Sequence, residues 1–227
     1  MTPPSLSEVL AQVAPLSAPV LAKVLSAFRE RHLVRDERLL LAGQVCTELS
    51  FVTRGVLVSQ SPDSARQASC DLFAEGDFAT DYVSFLTEQP STVEIMALEP
   101  CRVSTLSRES LLAFYDALPG VDRLGRKIAE RQFVGAVHRA GSLLTEDPSV
   151  RYRSLAARRP DLIQRVPQYV LARWLGVTPE SLSRIRARLA KGQRKVSSST
   201  ALVPSKSKAP AAKSGGPKTP RASREKP

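Results

Sequence analysis

The sequence predicts an α+β fold in which a compact domain of short strands is followed by a long helix and a helix-turn-helix. Three observations support this prediction. Apolar residues at helical spacing open the chain, short β-rich segments with turn signals occupy Leu39 to Leu106, and helical periodicity returns afterwards and continues to about Lys191. The 42% hydrophobic content and 227 residues suit a globular protein of two domains.

Two short helices are predicted at the start. Apolar side chains between Ser5 and Leu33 recur every three or four residues, and Pro15 and Pro19 interrupt the pattern. The members of this pattern are Leu6, Val9, Leu10, Val13, Val20, Leu21, Val24, Leu25 and Phe28.

The central region is predicted to be a sandwich or jelly roll. Its segments LSFVTRGVLVSQ, QASCDLF and TVEIMALEPCRVSTL are rich in residues that favour strands. Turn signals such as Ala42-Gly43, Arg54-Gly55 and Glu75-Gly76-Asp77 separate the segments. Many short strands at this spacing are typical of a compact antiparallel fold.

A long amphipathic helix is predicted from Val121 to Leu144, after a small helix at Arg108 to Leu118. Its apolar residues form one stripe, so the helix either packs on the sandwich or pairs two subunits. Because the helix lies between two domains, the pairing of subunits is at least as good an interpretation as packing on the sandwich. Asp147-Pro148 ends it as a hinge. The stripe consists of Val121, Leu124, Ile128, Val134, Val137 and Leu144.

The segment from Pro167 to Lys191 predicts two helices joined by a tight turn. Pro167 suits a first helical position, and Leu171, Trp174 and Leu175 supply an inner face. Gly176 permits a left-handed turn, and Thr178 caps a second helix that starts at Pro179.

On the second helix, Glu180, Arg184 and Arg188 form a polar row at four-residue intervals, opposite an apolar face of Leu182, Ile185 and Leu189. Arginine can donate two hydrogen bonds to guanine, and glutamate can accept one from cytosine, so this row suits a DNA major groove. Thr178 and Ser181 suit phosphate oxygens at the helix start. The alternative interpretation is a solvated ion pair on an ordinary helical hairpin. The glycine turn, the Thr-Pro start and the basic flank together favour DNA binding.

The positive charge is concentrated at the end of the chain. Residues 192–227 carry nine basic residues against Glu225 alone, so this segment supplies +8 of the net +11. Its richness in Ser, Pro, Ala and Lys predicts a disordered tail. Such a tail either strengthens binding to any DNA sequence or serves only for solubility, and we favour the first interpretation.

Several classes of site are disfavoured by composition. Cys46, Cys70 and Cys101 are odd in number and lack a Cys-x-x-Cys pair, and His32 and His138 are isolated. We therefore expect no disulfide framework, metal or cofactor. Neither a catalytic Ser/His/Asp order nor a phosphate-binding loop is present, so an enzyme is not expected. The start of the sequence has no signal-peptide pattern and no apolar run approaches ~20 residues, so we expect a cytoplasmic protein with no membrane partner.

From Leu6 to Lys191 the sequence resembles the Crp/Fnr-type regulators, most specifically in GVTPESLSRIRARL. Glu180 and Arg184 match positions that contact bases in that family, whereas Pro179 replaces a basic residue common there. Gly43, Gly55 and Gly76 match turn glycines of the family's β-roll.

The resemblance implies a homodimer that binds an inverted-repeat operator in double-stranded DNA, with RNA polymerase as a further candidate partner. It also implies a wing after the helix-turn-helix, although no hairpin pattern is visible before the tail. The expected divisions are a cyclic-nucleotide-binding-like β-roll with flanking helices at 1–118, a dimerisation helix and hinge at 119–146, the helix-turn-helix at 147–191, and the tail at 192–227.

Cyclic nucleotide-binding members carry a cassette G-E-x-x-G-E followed by R-S/T-A. The corresponding segment here is GDFATDYVSFLTEQPSTVEIMALEP, in which Asp81 matches the ribose-binding acid and Ser91, followed by Thr92, replaces the arginine. A buried phosphate without that cation loses roughly several kcal/mol of binding free energy, so cyclic AMP is not the expected effector. The pocket either takes an unknown ligand or is empty, and Asp81 is equally well interpreted as a helix cap. The alternative function is a ligand-binding or protein-interaction module whose last helices contact protein.

Overall fold

The computed structural model describes residues 3–62 and 70–200. The chain divides into two compact units, residues 1–187 and 188–227. Within the described residues, no helix is both long and apolar enough to span a bilayer.

The two predicted opening helices are present as α1 (Leu6–Val13) and α2 (Ala18–Ser26). Ser5 and Glu8 form a capping box at the start of α1, in which each side chain satisfies a backbone N–H of the other residue. The end of this stretch is not helical, because β1 (Arg29–Leu33) pairs with a later strand. Apart from Leu33, the side chains of β1 are exposed or half-buried, so the strand carries little of the apolar pattern by which strands are recognised.

The predicted jelly-roll-like domain is confirmed as two four-stranded antiparallel sheets, which we call the β-roll domain. One sheet has the order β1-β8-β3-β6 and the other β2-β7-β4-β5. Helix α3 (Tyr82–Thr87) lies between β6 and β7 in the sequence. The remaining strands are β2 (Arg38–Leu40), β3 (Glu48–Arg54), β4 (Leu57–Gln60), β5 (Cys70–Phe73), β6 (Phe78–Ala79), β7 (Glu94–Ala97) and β8 (Cys101–Ser107).

The turn between β3 and β4 requires glycine. Gly55 has φ 100°, and a Cβ atom there would come within 2.8 Å of the Cys101 backbone. Behind this turn, Phe51 and Val52 are fully buried, and the Phe51 and Phe78 rings meet edge to face at 5.3 Å between centroids. This aromatic contact packs β3 against β6, the edge strand of the same sheet.

Helix α4 (Arg108–Ala117) leads into the long helix α5 (Val121–Thr145), which was predicted at nearly these bounds. The apolar stripe of α5 divides into two parts. Val121, Leu124 and Ile128 are buried against the β-roll domain, whereas the apolar side chains of the second half are exposed. Those exposed side chains are Phe133 at 70%, Val134 at 49%, Val137 at 51% and Leu144 at 86%.

Four helices follow Asp147, whose side chain caps the first of them. Helix α8 begins at Gln168, so Pro167 is its N-cap and not, as predicted, its first helical residue. The helices are α6 (Pro148–Arg158), α7 (Pro160–Arg165), α8 (Gln168–Trp174) and α9 (Pro179–Thr200).

The predicted end of the folded region at Lys191 is too early, because α9 continues to Thr200 through the start of the expected tail. The rest of that tail, residues 201–227, lies outside the described residues. No strand follows β8 within 3–62 and 70–200, so the wing implied by the family resemblance does not occur there.

In the first unit, the C-terminal helices pack on the outer face of the second sheet. A single apolar cluster joins them, and its residues come from both parts of the chain. The strand side contributes Val56, Val58, Ala74, Met96 and Leu98, and the helix side contributes Leu155, Leu162, Val166, Val170, Leu171, Ala172, Leu175 and Leu182.

Candidate nucleic-acid interface

The turn between α8 and α9 has the tight left-handed geometry predicted for Gly176. This residue has φ 68°, and its N–H donates to the Arg173 carbonyl at 2.9 Å. The Val177 N–H donates to the Ala172 carbonyl at 3.0 Å. A Cβ at Gly176 would come within 2.9 Å of the Leu143 side chain, so both conformation and space favour glycine.

The inner faces of α8 and α9 meet as the spacing predicts. Leu171 and Leu175 are buried, and Leu182 on α9 is 0% exposed. Trp174 is only half-buried, and the Arg139 guanidinium lies 4.4 Å from its ring centroid. The two helices are therefore held at a defined angle by a packed apolar contact.

Arg151 on α6 supports the turn from behind, and sequence reasoning did not identify it. The side chain is 7% exposed, and its Nε and Nη2 donate to the Leu175 carbonyl at 3.0 and 2.8 Å. Its Nη1 donates to the carbonyls of Ser142, at 2.9 Å, and Glu146 at the end of α5. One guanidinium thus satisfies terminal carbonyls of two helices, which fixes the end of α8 relative to α5.

The predicted start of α9 is also observed. The Ser181 N–H donates to Thr178 Oγ1 at 3.3 Å, and the two hydroxyl oxygens are 3.2 Å apart. Thr178, Glu180 and Arg184 are exposed, and Ser181 is half-buried. The predicted polar row therefore begins on the side of α9 away from the buried Leu182.

The charge of Glu180 is stabilised locally. The pKa of Glu180 lies below its ordinary value because the carboxylate accepts hydrogen bonds from its own backbone N–H and from the Thr178 side chain, with a smaller contribution from the Arg184 charge. The ion pairs formed among the described residues do not include Glu180 with Arg184. Arg188 is exposed and belongs to the second unit.

A cluster of ion pairs, which we call the Arg165 clasp, joins α7 to the β-roll domain. Arg165 Nη2 donates to Glu75 Oε1 at 2.7 Å and also contacts Glu99, while Asp161 accepts from Arg165 Nη1 at 3.2 Å. Burial by itself would raise the pKa of Glu75, but hydrogen bonds from Arg165 and the Gly55 N–H outweigh it and hold the pKa below its usual value. No local sequence pattern identifies this clasp, because Glu75 and Glu99 lie far from Arg165 in the sequence.

Two of the three residues predicted for an effector pocket, Asp81 and Ser91, form a hydrogen bond with each other. Asp81 is the N-cap of α3 and accepts from the Val83 and Ser84 N–H groups at 3.1 and 3.4 Å. The buried Ser91 hydroxyl lies 2.7 Å from the second Asp81 oxygen, whereas Thr92 is exposed. The helix-cap interpretation thus describes Asp81, and the hydroxyl of Ser91 lies where the family's arginine would be expected.

Comparisons with known proteins agree with this fold. Residues 30–117 match the family model of the cyclic nucleotide-binding domain. No curated protein sequence matches the chain.

Solved structures of similar fold include the c-di-GMP-responsive global regulator CLP of Xanthomonas campestris. It is 18% identical with a TM-score of 0.60, over 78% of this chain and 93% of that one. FixK2 of Bradyrhizobium japonicum is 16% identical with a TM-score of 0.57, over 73% and 86% of the two chains. A CooA mutant of Carboxydothermus hydrogenoformans is 15% identical with a TM-score of 0.57, over 79% and 88%. Residues 30–117 are therefore similar to cyclic nucleotide-binding domains, in a chain that has the fold of the Crp/Fnr-type transcription regulators.

Proposed function

We propose that the chain is a cytoplasmic, homodimeric transcription regulator whose α9 helices bind an inverted-repeat operator. The observation that carries this proposal is the exposed pair Glu180 and Arg184 in the first turns of α9, a helix whose opposite face is anchored by the buried Leu182. A helix held in this way projects base-contacting side chains from a rigid support.

The chemistry of the exposed face suits a major groove. The Arg184 guanidinium can donate two hydrogen bonds to guanine O6 and N7, and the Glu180 carboxylate, which stays ionised, can accept from cytosine N4. The hydroxyls of Thr178 and Ser181, beside the N–H groups at the start of α9, suit a backbone phosphate. Base and phosphate contacts together would fix the register of α9 on DNA.

The exposed half of α5 supports the dimer. At 100° per residue, Phe133, Val137 and Leu144 fall within about 40° of one another on the helix surface. Such an apolar stripe, exposed on a helix, is unfavourable in water and would be buried by the same stripe of a second copy. Two α5 helices paired in this way would present two α9 helices to one face of the duplex, about 34 Å apart.

Cyclic AMP is not the proposed effector. The segment from Asp81 to Val93 contains no lysine or arginine, and the Ser91 hydroxyl is engaged by Asp81. A cyclic phosphate bound there would lack the charge-assisted contact that normally stabilises it. The c-di-GMP-responsive CLP shows that this fold also serves other effectors.

The test compares Arg184→Ala with a matched control, Arg186→Ala. Both arginines are exposed on α9 in the first unit, but they lie about 160° apart around the helix. DNA sequences would be selected from a random pool by each protein. Arg184→Ala should lose about 1–3 kcal/mol of discrimination at one base position of each half-site, whereas Arg186→Ala should select the wild-type motif.

Far-ultraviolet circular dichroism would verify that both variants remain folded. An unchanged base preference in Arg184→Ala would remove this residue from the interface. Failure of all three proteins to select any motif would instead favour the alternative, in which α9 contacts a protein.

A further inference from the structure

A cavity of about 60 Å³ lies beneath the opening helices, apart from the cassette residues Asp81 and Ser91. Its walls come from α1, α2, α3, the first sheet, α4 and the buried half of α5. Among its lining residues are Phe28, Phe78, Tyr82, Tyr115 and Ile128, and none of the described residues that line it is charged. The cavity is therefore suited to an uncharged molecule, because a charged one would be desolvated without a partner.

Two tyrosines line this apolar cavity, and the hydroxyl of one of them, Tyr82, is unpartnered within the described part of the chain. The hydroxyl oxygen of Tyr82 is buried and has no hydrogen-bond partner among the described residues. Burial, with smaller contributions from Tyr115 and Cys46, raises the pKa of Tyr82, so the group is a neutral donor at physiological pH. A buried hydroxyl without a partner is energetically unfavourable, and an acceptor on a bound molecule would relieve this.

The wall formed by α5 is shaped around the second tyrosine. A side chain at Gly125 would overlap the Tyr115 hydroxyl, so the absence of a Cβ there lets the ring lie against the helix. Ala129, one turn further along α5, also lines the cavity. Two small residues on one face of α5 thus leave room where larger ones would fill the space.

We propose that this cavity binds a small neutral molecule with an apolar body and one hydrogen-bond acceptor, such as a short-chain ketone or aldehyde, and that the Tyr82 hydroxyl donates to the acceptor. The volume is less than half of the roughly 150 Å³ that accommodates the six heavy atoms of benzene, so the ligand should have no more than about four heavy atoms. Ligands of that size bind no more tightly than about 40 μM.

Binding at this site does not depend on DNA recognition. Its effect on DNA binding would rest on the proposed function, because the cavity wall and the exposed stripe at Phe133 belong to the same helix, α5. The experiment below measures ligand binding alone, so its failure would leave the DNA-binding proposal intact.

The experiment titrates acetone into the full ¹⁵N-labelled chain and follows the backbone amides of Tyr82, Gly125 and Ala129 by NMR. Acetate, which has nearly the same shape but carries a charge, is the matched ligand control. Acetone should cause saturable shifts at these amides, and acetate should cause none. Shifts that grow linearly with acetone would overturn the proposal.

Three variants test whether acetone binds in this cavity. Tyr82→Phe keeps the ring and should weaken acetone binding about 3- to 10-fold, the effect expected for one neutral hydrogen bond. Ala129→Leu should fill the cavity and abolish saturable binding, while Ala113→Leu, on the exposed face of α4, should bind as wild type.

Unchanged affinity in Tyr82→Phe would exclude the proposed hydrogen bond. Because that variant only deletes a buried hydroxyl, it should fold even if the bulkier Ala129→Leu does not. Saturable binding retained in a folded Ala129→Leu would place the acetone elsewhere and overturn the assignment.

Discussion

Replacing Arg151 by alanine should destabilise the first unit more than any exposed arginine does. The guanidinium donates to three carbonyl oxygens, those of Ser142, Glu146 and Leu175, and the side chain is 7% exposed. The Leu175 carbonyl is buried and would lose its donors, at a cost of about 1–3 kcal/mol, whereas the half-buried Ser142 carbonyl keeps the Glu146 N–H, so the total loss should be about 2–4 kcal/mol of unfolding free energy. For a unit of this size, Tm should fall by about 4–16 °C.

Two comparison variants make this prediction specific. Arg151→Lys keeps the charge but loses the planar group that reaches several carbonyls, so it should be intermediate in stability. Arg153→Ala removes an exposed arginine from the same helix and should change stability by no more than about 0.5 kcal/mol. Urea denaturation followed by tryptophan fluorescence would report on Trp174, the chain's one tryptophan. An Arg151→Ala protein as stable as Arg153→Ala would refute the supporting role of this residue.

Three further predictions concern the clasp, the dimer and the tail. The pKa of Glu75 is lowered on folding, so its stabilising contribution is present above about pH 4.5 and is lost as the pH falls through the folded-state pKa. Urea denaturation from pH 6 to pH 3 should therefore show a loss of stability that is smaller in Glu75→Gln, and equal slopes would contradict this. Phe133→Asp should convert the dimer to monomer by sedimentation, whereas the exposed Arg131→Asp should not; a Phe133→Asp dimer would contradict the proposed stripe. Removing residues 201–227 should weaken binding to all DNA sequences alike and flatten its salt dependence, and a lost base preference with unchanged affinity would contradict this.

Local signals predicted the turn between α8 and α9 and the start of α9 well. Thr178 and Pro179 mark the first residues of α9 because one caps the helix and the other tolerates the missing N–H, and both effects act within a single turn. Gly176 marks the preceding turn because a positive φ is needed there. Signals of this kind do not depend on distant parts of the chain.

Contacts between distant segments were not predictable in this way. Arg151 and Arg165 resemble ordinary exposed charges in sequence, and their roles arise only when α5, α8 and the β-roll domain come together. Phe133 was missing from the predicted stripe, although its position matches Val137 and Leu144 on the helix surface. Strand β1 (Arg29–Leu33) was missed because backbone pairing with β8, and not an apolar pattern, places it in the sheet.

Asp81 shows how one residue type supports two interpretations. A carboxylate at that position suits both a ribose hydroxyl and the N–H groups that start a helix, and the sequence alone gave no preference. The hydrogen bonds to Val83 and Ser84 show the capping role. The absence of lysine and arginine from the segment Asp81 to Val93 was, by contrast, visible from residue type.

In the proposed function, two copies of the chain recognise DNA sequence through α9. The most direct measurement is selection of bound sequences from a random DNA pool by the full chain at near-physiological salt, with and without cyclic AMP. We expect enrichment of an inverted repeat whose half-site centres are about one helical turn apart, with the same motif in the presence and absence of the nucleotide. Absence of any enriched motif under both conditions, or enrichment that requires cyclic AMP, would contradict it.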